Sequence, residues 1–193
     1  MSKMRLPVAC CALLFAGAAS ANSLDGEWVT DCLPTGKDGR HGQIMRVIIK
    51  GDRIQASKQM YAGDSCDMPT VQTNFTGSLA ARSEQGDHQD LDIVVGGMTM
   101  TPNDQGVVEL FNKWMADNPK CGAITWKQNE PVAVAGKSCG PLSFAEIGTR
   151  LFDKAWIAGD QLRFGAFPAS WRNITLDKRP TAPLDVIYRR VGG

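Results

Sequence analysis

The stretch Leu24-Asp25-Gly26-Glu27-Trp28-Val29-Thr30-Asp31-Cys32 decides the fold that the rest of the chain must complete. It predicts a first β-strand over residues 26–31. A glycine stands two residues before the tryptophan, and a cysteine follows four residues after it. We predict that Trp28, a large apolar side chain, plugs one end of a small antiparallel barrel.

Downstream of this strand, short runs of alternating apolar and polar residues follow one another between turn residues. Residues 45–49 have one apolar face, and Gly51-Asp52 then supplies a tight turn before the alternation resumes. Residues 91–95 alternate likewise until Gly96-Gly97 shifts the phase, which is the usual mark of a β-bulge. The count is about eight strands joined by hairpins, and this pattern predicts an all-β sandwich or barrel.

One segment departs from the two-residue period and predicts a single inserted helix. Its apolar residues recur at helical spacing, at Val107, Leu110, Phe111, Trp114 and Met115. Thr101-Pro102 precedes them, which predicts an N-cap followed by proline at the first helical position. We expect this helix to pack on or across the barrel.

The first 21 residues have the order of a secretory signal peptide. A short basic start is followed by an apolar run, and Ala19-Ser20-Ala21 is a small-residue cleavage site. Cys10 and Cys11 raise lipid attachment as an alternative. A lipid-attachment box usually carries leucine three residues before the cysteine, but Pro7 and Val8 stand at those positions here. The sequence therefore predicts a signal peptide over 1–21, one domain over 22–193, and a periplasmic or secreted protein without a transmembrane segment.

The charge of the chain is balanced. It has 21 lysines and arginines against 20 acidic residues. Loss of Lys3 and Arg5 with the signal peptide would leave 19 basic residues against the same 20 acidic ones. Such a balance offers no basic surplus for binding nucleic acid or an anionic membrane.

Four cysteines remain after removal of the signal peptide, namely Cys32, Cys66, Cys121 and Cys139. An even number in an exported chain indicates two disulfides, with three possible pairings, of which we favour Cys32 with Cys66 and Cys121 with Cys139. A zinc site is the alternative. The cysteines contain no C-x-x-C pair and have no adjacent histidine, so we expect no metal.

The pattern of Gly26, Trp28 and an arginine near the end of the chain resembles that of the lipocalins and calycins. The resemblance implies that the tryptophan closes one end of the barrel and that a basic side chain packs across its ring. We match that side chain to Arg190, with Arg189 as the alternative.

More of the chain resembles a narrower group, the bacterial exported proteins related to the lipocalin-like domain of the adenomatosis-polyposis-coli-down-regulated family. The shared landmarks run in order through the chain: Gly26-Glu27-Trp28 with Cys32, residues 61–66, Asn112 ahead of Cys121-Gly122 and Trp126-Lys127, residues 136–139, residues 159–165, Arg179-Pro180, Leu184-Asp185 and Tyr188-Arg189-Arg190. In that family's tyrosine–aspartate–cysteine motif the aspartate stands one place earlier than Asp64 does here. The resemblance implies an antiparallel lipocalin-like barrel, pairing of Cys32 with Cys66 and, from the animal members, a cavity for a lipid-modified partner.

Several large side chains are candidates for the lining of a ligand pocket. They are Met98, Met100, Trp126, Trp156, Phe164 and Lys58. Methionine and aromatic groups suit an adaptable apolar pocket, and a buried lysine needs an anionic partner such as a ligand carboxylate. The alternative is a barrel that is filled by the same side chains, because a closed eight-stranded barrel can either be packed or hold one small ligand.

The function predicted from these features is non-catalytic binding of a lipid-like or other apolar small molecule, without a cofactor. No nucleophile, metal or phosphate-loop motif of an enzyme stands in the sequence. The alternative is an envelope or extracellular interaction module, such as an inhibitor or adhesin-like protein, with a filled barrel. Its candidate interface is the long loop of residues 165–181, which carries Phe167, Trp171 and Arg172 as possible anchors for a protein partner.

Overall fold

The computed structural model describes residues 23–115, 118, 120–139, 142–168 and 171–192. The predicted signal peptide, residues 1–21, lies outside the described residues. In chain order the elements are β1 Gly26–Thr30, β2 Leu33–Thr35, β3 His41–Lys50, β4 Arg53–Tyr61, β5 Pro69–Gln85, β6 His88–Pro102, α1 Gln105–Met115, β7 Val132–Ala133, β8 Ser138–Cys139, β9 Leu142–Ser143, β10 Arg150–Ala158, β11 Gln161–Phe164 and β12 Tyr188–Arg190.

Eight of these strands close into an antiparallel barrel. The order around the ring is β1, β12, β11, β10, β6, β5, β4 and β3, and β3 pairs again with β1. Strand β1 makes the closure, because Trp28 stands opposite Arg190 on β12 and opposite Val47 on β3. The predicted fold class, an antiparallel barrel of about eight strands with one helix, is confirmed.

The interior follows the alternation of the sequence. Strand β3 buries Met45, Val47 and Ile49. On β6 the buried positions change parity where Thr76 pairs with Gly97 and Gly77 pairs with Val95, so that Gly96 is the extra residue of a bulge. The bulge returns the side chains after it to the interior, so that Met98 and Met100 are buried like Ile93 and Val95 before it.

Helix α1 differs from its prediction at its start and in its buried face. Strand β6 continues through Thr101 and Pro102, because both pair with β5. The helix begins instead after Asp104, whose carboxylate accepts the N–H of Val107 at 3.1 Å. It buries Val108, Phe111 and Met115, whereas the predicted Leu110 and Trp114 are exposed. A carboxylate is a better N-cap than a threonine whose backbone is held in a sheet.

Two disulfides, Cys32–Cys66 and Cys121–Cys139, confirm the favoured pairing. The first joins the loop after β1 to the loop between β4 and β5. The second ties the segment after the helix to β8. The sulfur atoms of these four cysteines are therefore held in disulfides, so none of them is a free thiolate that could bind a metal ion. Within the described residues, no helix is both long enough and apolar enough to traverse a lipid bilayer.

The two disulfides are expected to be reduced in a fixed order. Cys121 and Cys139 are completely buried, whereas Cys32 and Cys66 are half-buried. Because a reductant must reach the sulfur it attacks, reduction of Cys32–Cys66 should be at least about tenfold faster. Graded dithiothreitol treatment, alkylation and peptide mass spectrometry measure the order. Equal rates in denaturant are the control, and earlier labelling of Cys121 in the native protein would contradict the prediction.

Candidate functional site

One end of the barrel is closed by Trp28 and Arg190. The indole is fully buried, and its N–H donates to the carbonyl of Leu24 at 2.9 Å. The Arg190 guanidinium lies over the indole at 4.0 Å from the ring centroid. It also donates to the carbonyls of Asp25 at 2.7 Å and of Ser23 at 2.6 Å. Of the two arginines considered from the sequence, Arg190 is thus the one that packs on Trp28, while Arg189 lies 3.7 Å from the carboxylate of Asp31.

Gly26 is required for this closure. Its φ of +143° is a conformation that side chains rarely adopt, and a Cβ built on it would lie 2.5 Å from Nη1 of Arg190. The glycine of the Gly-x-Trp pattern therefore leaves the space that the guanidinium needs to reach both the indole and the carbonyl of Asp25.

The other end of the barrel contains a cavity of about 850 Å³. This is within the size range of pockets that hold drug-sized ligands. Among the described residues, those that line it are 56–58, 60, 71, 73, 75, 100, 111, 142–146, 149, 168, 171, 172 and 174. The most buried of them, including Phe75, Met100 and Phe111, form its floor, and exposed residues such as Leu142 and Ile174 form its rim.

Two stacked aromatic rings, Phe75 and Trp171, build one wall of the cavity, and Phe167 packs behind them in the core. Trp171 stacks on Phe75 with the ring centroids 5.5 Å apart. Phe167 contacts both edge-on, at 5.0 Å from Phe75 and 6.1 Å from Trp171. Phe75 belongs to β5, but the other two come from the segment after β11. That segment therefore folds over the barrel instead of projecting into solvent.

The segment after β11 is held down by a buried carboxylate. Asp153 on β10 points into the barrel and is completely buried. Its Oδ1 accepts the N–H of Ala166 at 3.0 Å, and its Oδ2 accepts the N–H of Phe167 at 2.7 Å. Burial raises the pKa of Asp153 to about 6, although the backbone N–H groups around it favour the charged form.

Lys58 is the charged side chain of the inner part of the cavity. It lies on β4 on the same face as Ile54 and Ala56, both of which are buried. The lysine is half-buried, and burial lowers the pKa of its ammonium group. The other charged lining residues of the described chain, Glu146 and Arg172, are exposed at the rim.

The structure brings only some of the predicted pocket residues together. Lys58 and Met100 line the cavity. Met98 and Phe164 are buried in the packed part of the barrel, where Phe164 contacts Phe167 and Tyr188.

Two tryptophans predicted for the pocket lie elsewhere. Trp126 is buried against Phe111 of the helix, outside the lining of the cavity. Trp156 is on the outer face of β10 beside His88, because Leu151, Asp153 and Ala155 are the residues of that strand that point inward. The assignment of Trp156 to the pocket was wrong, since the alternation of β10 runs on the opposite parity.

The predicted interaction loop is also corrected. Phe167 is buried in the core and cannot anchor a partner, and Trp171 is half-buried in the cavity wall. Arg172 is exposed and stands at the cavity rim. Residues 165–181 have no strand period, so their sequence predicts a long loop. Long-range contacts place its aromatic rings, among them those with Phe75, about 90 residues earlier in the chain.

Comparison of this chain with models of known protein families and with curated proteins finds no match. The resemblance to the lipocalin-like family consequently stays a prediction.

Proposed function

We propose that this protein is an exported, non-catalytic carrier that binds an apolar small molecule in the cavity at the open end of its barrel. The observation that carries the proposal is the cavity itself. Its volume of about 850 Å³ is bounded by a floor of buried apolar side chains and by the stacked rings of Phe75 and Trp171, which Phe167 supports from behind. An apolar ligand that enters it loses contact with water on most of its surface, which is the main source of affinity for such pockets.

Export to the periplasm or the exterior is supported by the signal-like start of the chain and by the two disulfides. Such bonds persist in oxidising compartments. A role without catalysis is supported by the character of the lining, in which apolar groups and hydroxyls outnumber ionisable groups. Catalytic sites instead bring a nucleophile, an acid or base and an oxyanion donor to one point.

Uptake of the neutral fluorescent probe N-phenyl-1-naphthylamine tests the proposal. The wild-type protein should bind it, and Trp171→Ala should weaken binding about tenfold because a ring of the cavity wall is lost. Trp156→Ala is the matched control, since this tryptophan is also half-buried but lies on the outer face of β10. Its affinity should equal that of the wild type.

Extraction of the protein from its native compartment with organic solvent, followed by mass spectrometry, supplies a second measurement. A co-purifying apolar molecule is expected. Absence of probe uptake together with an empty extract would refute the proposed function. Equal weakening by Trp171→Ala and Trp156→Ala would place binding outside the cavity and refute it as well.

A further inference from the structure

The cavity contains a charged group whose role apolar binding does not explain. Lys58 lies between Met45 on β3 and Thr73 on β5, opposite both in the strand register. Lys58 lies on the same face of β4 as Ile54 and Ala56, because side chains two residues apart in a strand share a face. The Lys58 side chain therefore enters the barrel four residues beyond Ile54, about 13 Å further along the strand. This position is inside the cavity and away from the closed end.

Lys58 has no anionic partner in the described part of the chain. No carboxylate oxygen there lies within 4.0 Å of its Nζ, and none of the side-chain hydrogen bonds among those residues involves its ammonium group. Other lysines are paired: Lys154 lies 3.7 Å from Asp90, and Lys127 lies 3.3 Å from Glu130. An ammonium group that is partly withdrawn from water without a partner is less well solvated than an exposed one, so an anion beside it would be bound favourably.

The charges of the cavity match a single anionic group on an apolar ligand. Glu146 and Arg172 are exposed at the rim, so Lys58 is the charged group of the inner part of the site. Thr73 also lines the cavity from the neighbouring strand, and its hydroxyl can donate a hydrogen bond to the same anion. One ammonium and one hydroxyl suit a monoanion better than a phosphate, which usually requires several cations or a helix N-terminus.

We propose that Lys58 and Thr73 form a subsite for the carboxylate of an elongated apolar acid, whose hydrocarbon part lies along Phe75, Met100 and the aromatic wall. The ligand class is therefore a fatty-acid-like monocarboxylate. This inference rests on the proposed function, because the hydrocarbon must occupy the same cavity. The carboxylate accepts hydrogen bonds from the Lys58 ammonium and from the Thr73 hydroxyl, and no covalent step is involved.

Binding of dodecanoate and of dodecan-1-ol tests the subsite, since the two ligands share a chain length and differ in charge. Competition with N-phenyl-1-naphthylamine at neutral pH measures both affinities. The wild type should bind the acid at least about tenfold more tightly than the alcohol, because a charge-assisted hydrogen bond forms only with the acid. Lys58→Met should abolish this preference.

Lys154→Met is the matched control, because this lysine lies on the outer face of β10 and should not affect the preference. Lys58→Gln is a second variant in case methionine disturbs folding, which circular dichroism will show. An acid preference that survives in Lys58→Met and Lys58→Gln would overturn the inference. Equal affinities of the wild type for acid and alcohol would overturn it too, while leaving the proposed function standing. Failure of the wild type to bind either ligand or the probe would instead refute the proposed function.

Discussion

Trp28→Ala is expected to lower the free energy of unfolding by about 4 kcal/mol, the largest effect of any single substitution considered for this barrel. The indole is completely buried at the closed end, where it packs against Arg190 of β12. Alanine would leave a void there and would also remove the hydrogen bond to the carbonyl of Leu24. Urea unfolding followed by circular dichroism measures the change.

The stack of Arg190 on Trp28 should appear as coupling between the two residues. Arg190→Met removes the charge and the hydrogen bonds to Asp25 and Ser23 but keeps an apolar chain over the indole. The double variant should be less destabilised than the sum of the single variants by about 1–2 kcal/mol, because the cation–π contact is lost in either case. Additive effects would show that the contact contributes nothing.

Trp156→Ala is the control for this prediction as well. Trp156 is a tryptophan of the same barrel, but it is half-buried on the outer face beside His88. Its removal is expected to cost no more than about 1 kcal/mol, because the site stays open to water and no closed void forms. A Trp28→Ala protein that is no less stable than Trp156→Ala would contradict the closure described for this end of the barrel.

The closed end could be predicted from the sequence because its signals are local and strong. The glycine of the Gly-x-Trp pattern marks a backbone position at which a side chain is excluded, and the tryptophan two residues later must be buried. The phase shift at Gly96-Gly97 is equally local, since a bulge changes the parity of the residues on either side of it. Alternation and turn residues then set the number of strands.

The open end could not be predicted in the same way, because long-range contacts decide it. On β10 both parities carry large apolar side chains, and the inward one contains an aspartate. Alternation alone therefore does not show that the face with Trp156 points outward. The aspartate is tolerated inside because the segment after β11 directs backbone N–H groups toward it. The residues next to Asp153 in the sequence do not predict that segment's conformation. The placement of Phe167 and Trp171 depends on the same conformation.

Asp153→Asn is expected to remove a pH dependence of stability of about 3 kcal/mol. Burial raises the pKa of Asp153 from its ordinary value of 3.8 to about 6. Between these values the folded protein holds a proton that the unfolded chain has released. The free energy of unfolding contributed by this group therefore falls as the pH rises from about 4 to about 6, and it is constant above that range.

The measurement is the difference in free energy of unfolding between the wild type and Asp153→Asn, from urea titrations between about pH 4 and about pH 7. Asparagine does not titrate, so the wild type should lose about 3 kcal/mol of stability relative to Asp153→Asn as the pH rises. Asp153→Asn also loses some stability at every pH, because its amide lies beside the Phe167 N–H. This constant loss offsets the plot of the difference against pH but does not change its slope.

Asp25 provides a control of opposite sign. Burial alone would raise the pKa of Asp25, but hydrogen bonds from the Gly51 N–H and from Arg82, together with the charge of that arginine, lower it below its ordinary value. The stability that Asp25 contributes is therefore lost as the pH falls, so the wild type should lose stability relative to Asp25→Asn toward low pH. If the two differences had the same sign, the physical account of one of the two carboxylates would be wrong.

The turn that Asp153 holds connects this titration to the cavity. Ala166 and Phe167 donate to its carboxylate, and the same segment then leads to Trp171 in the cavity wall. Asp153→Ala would leave these N–H groups buried without an acceptor, at a cost of about 3 kcal/mol or more at neutral pH. Because Phe75 keeps Trp171 in place only if the segment folds over the barrel, Asp153→Ala should also weaken uptake of the neutral probe. A destabilised Asp153→Ala protein with unchanged probe affinity would show that the aromatic wall forms independently of the buried carboxylate.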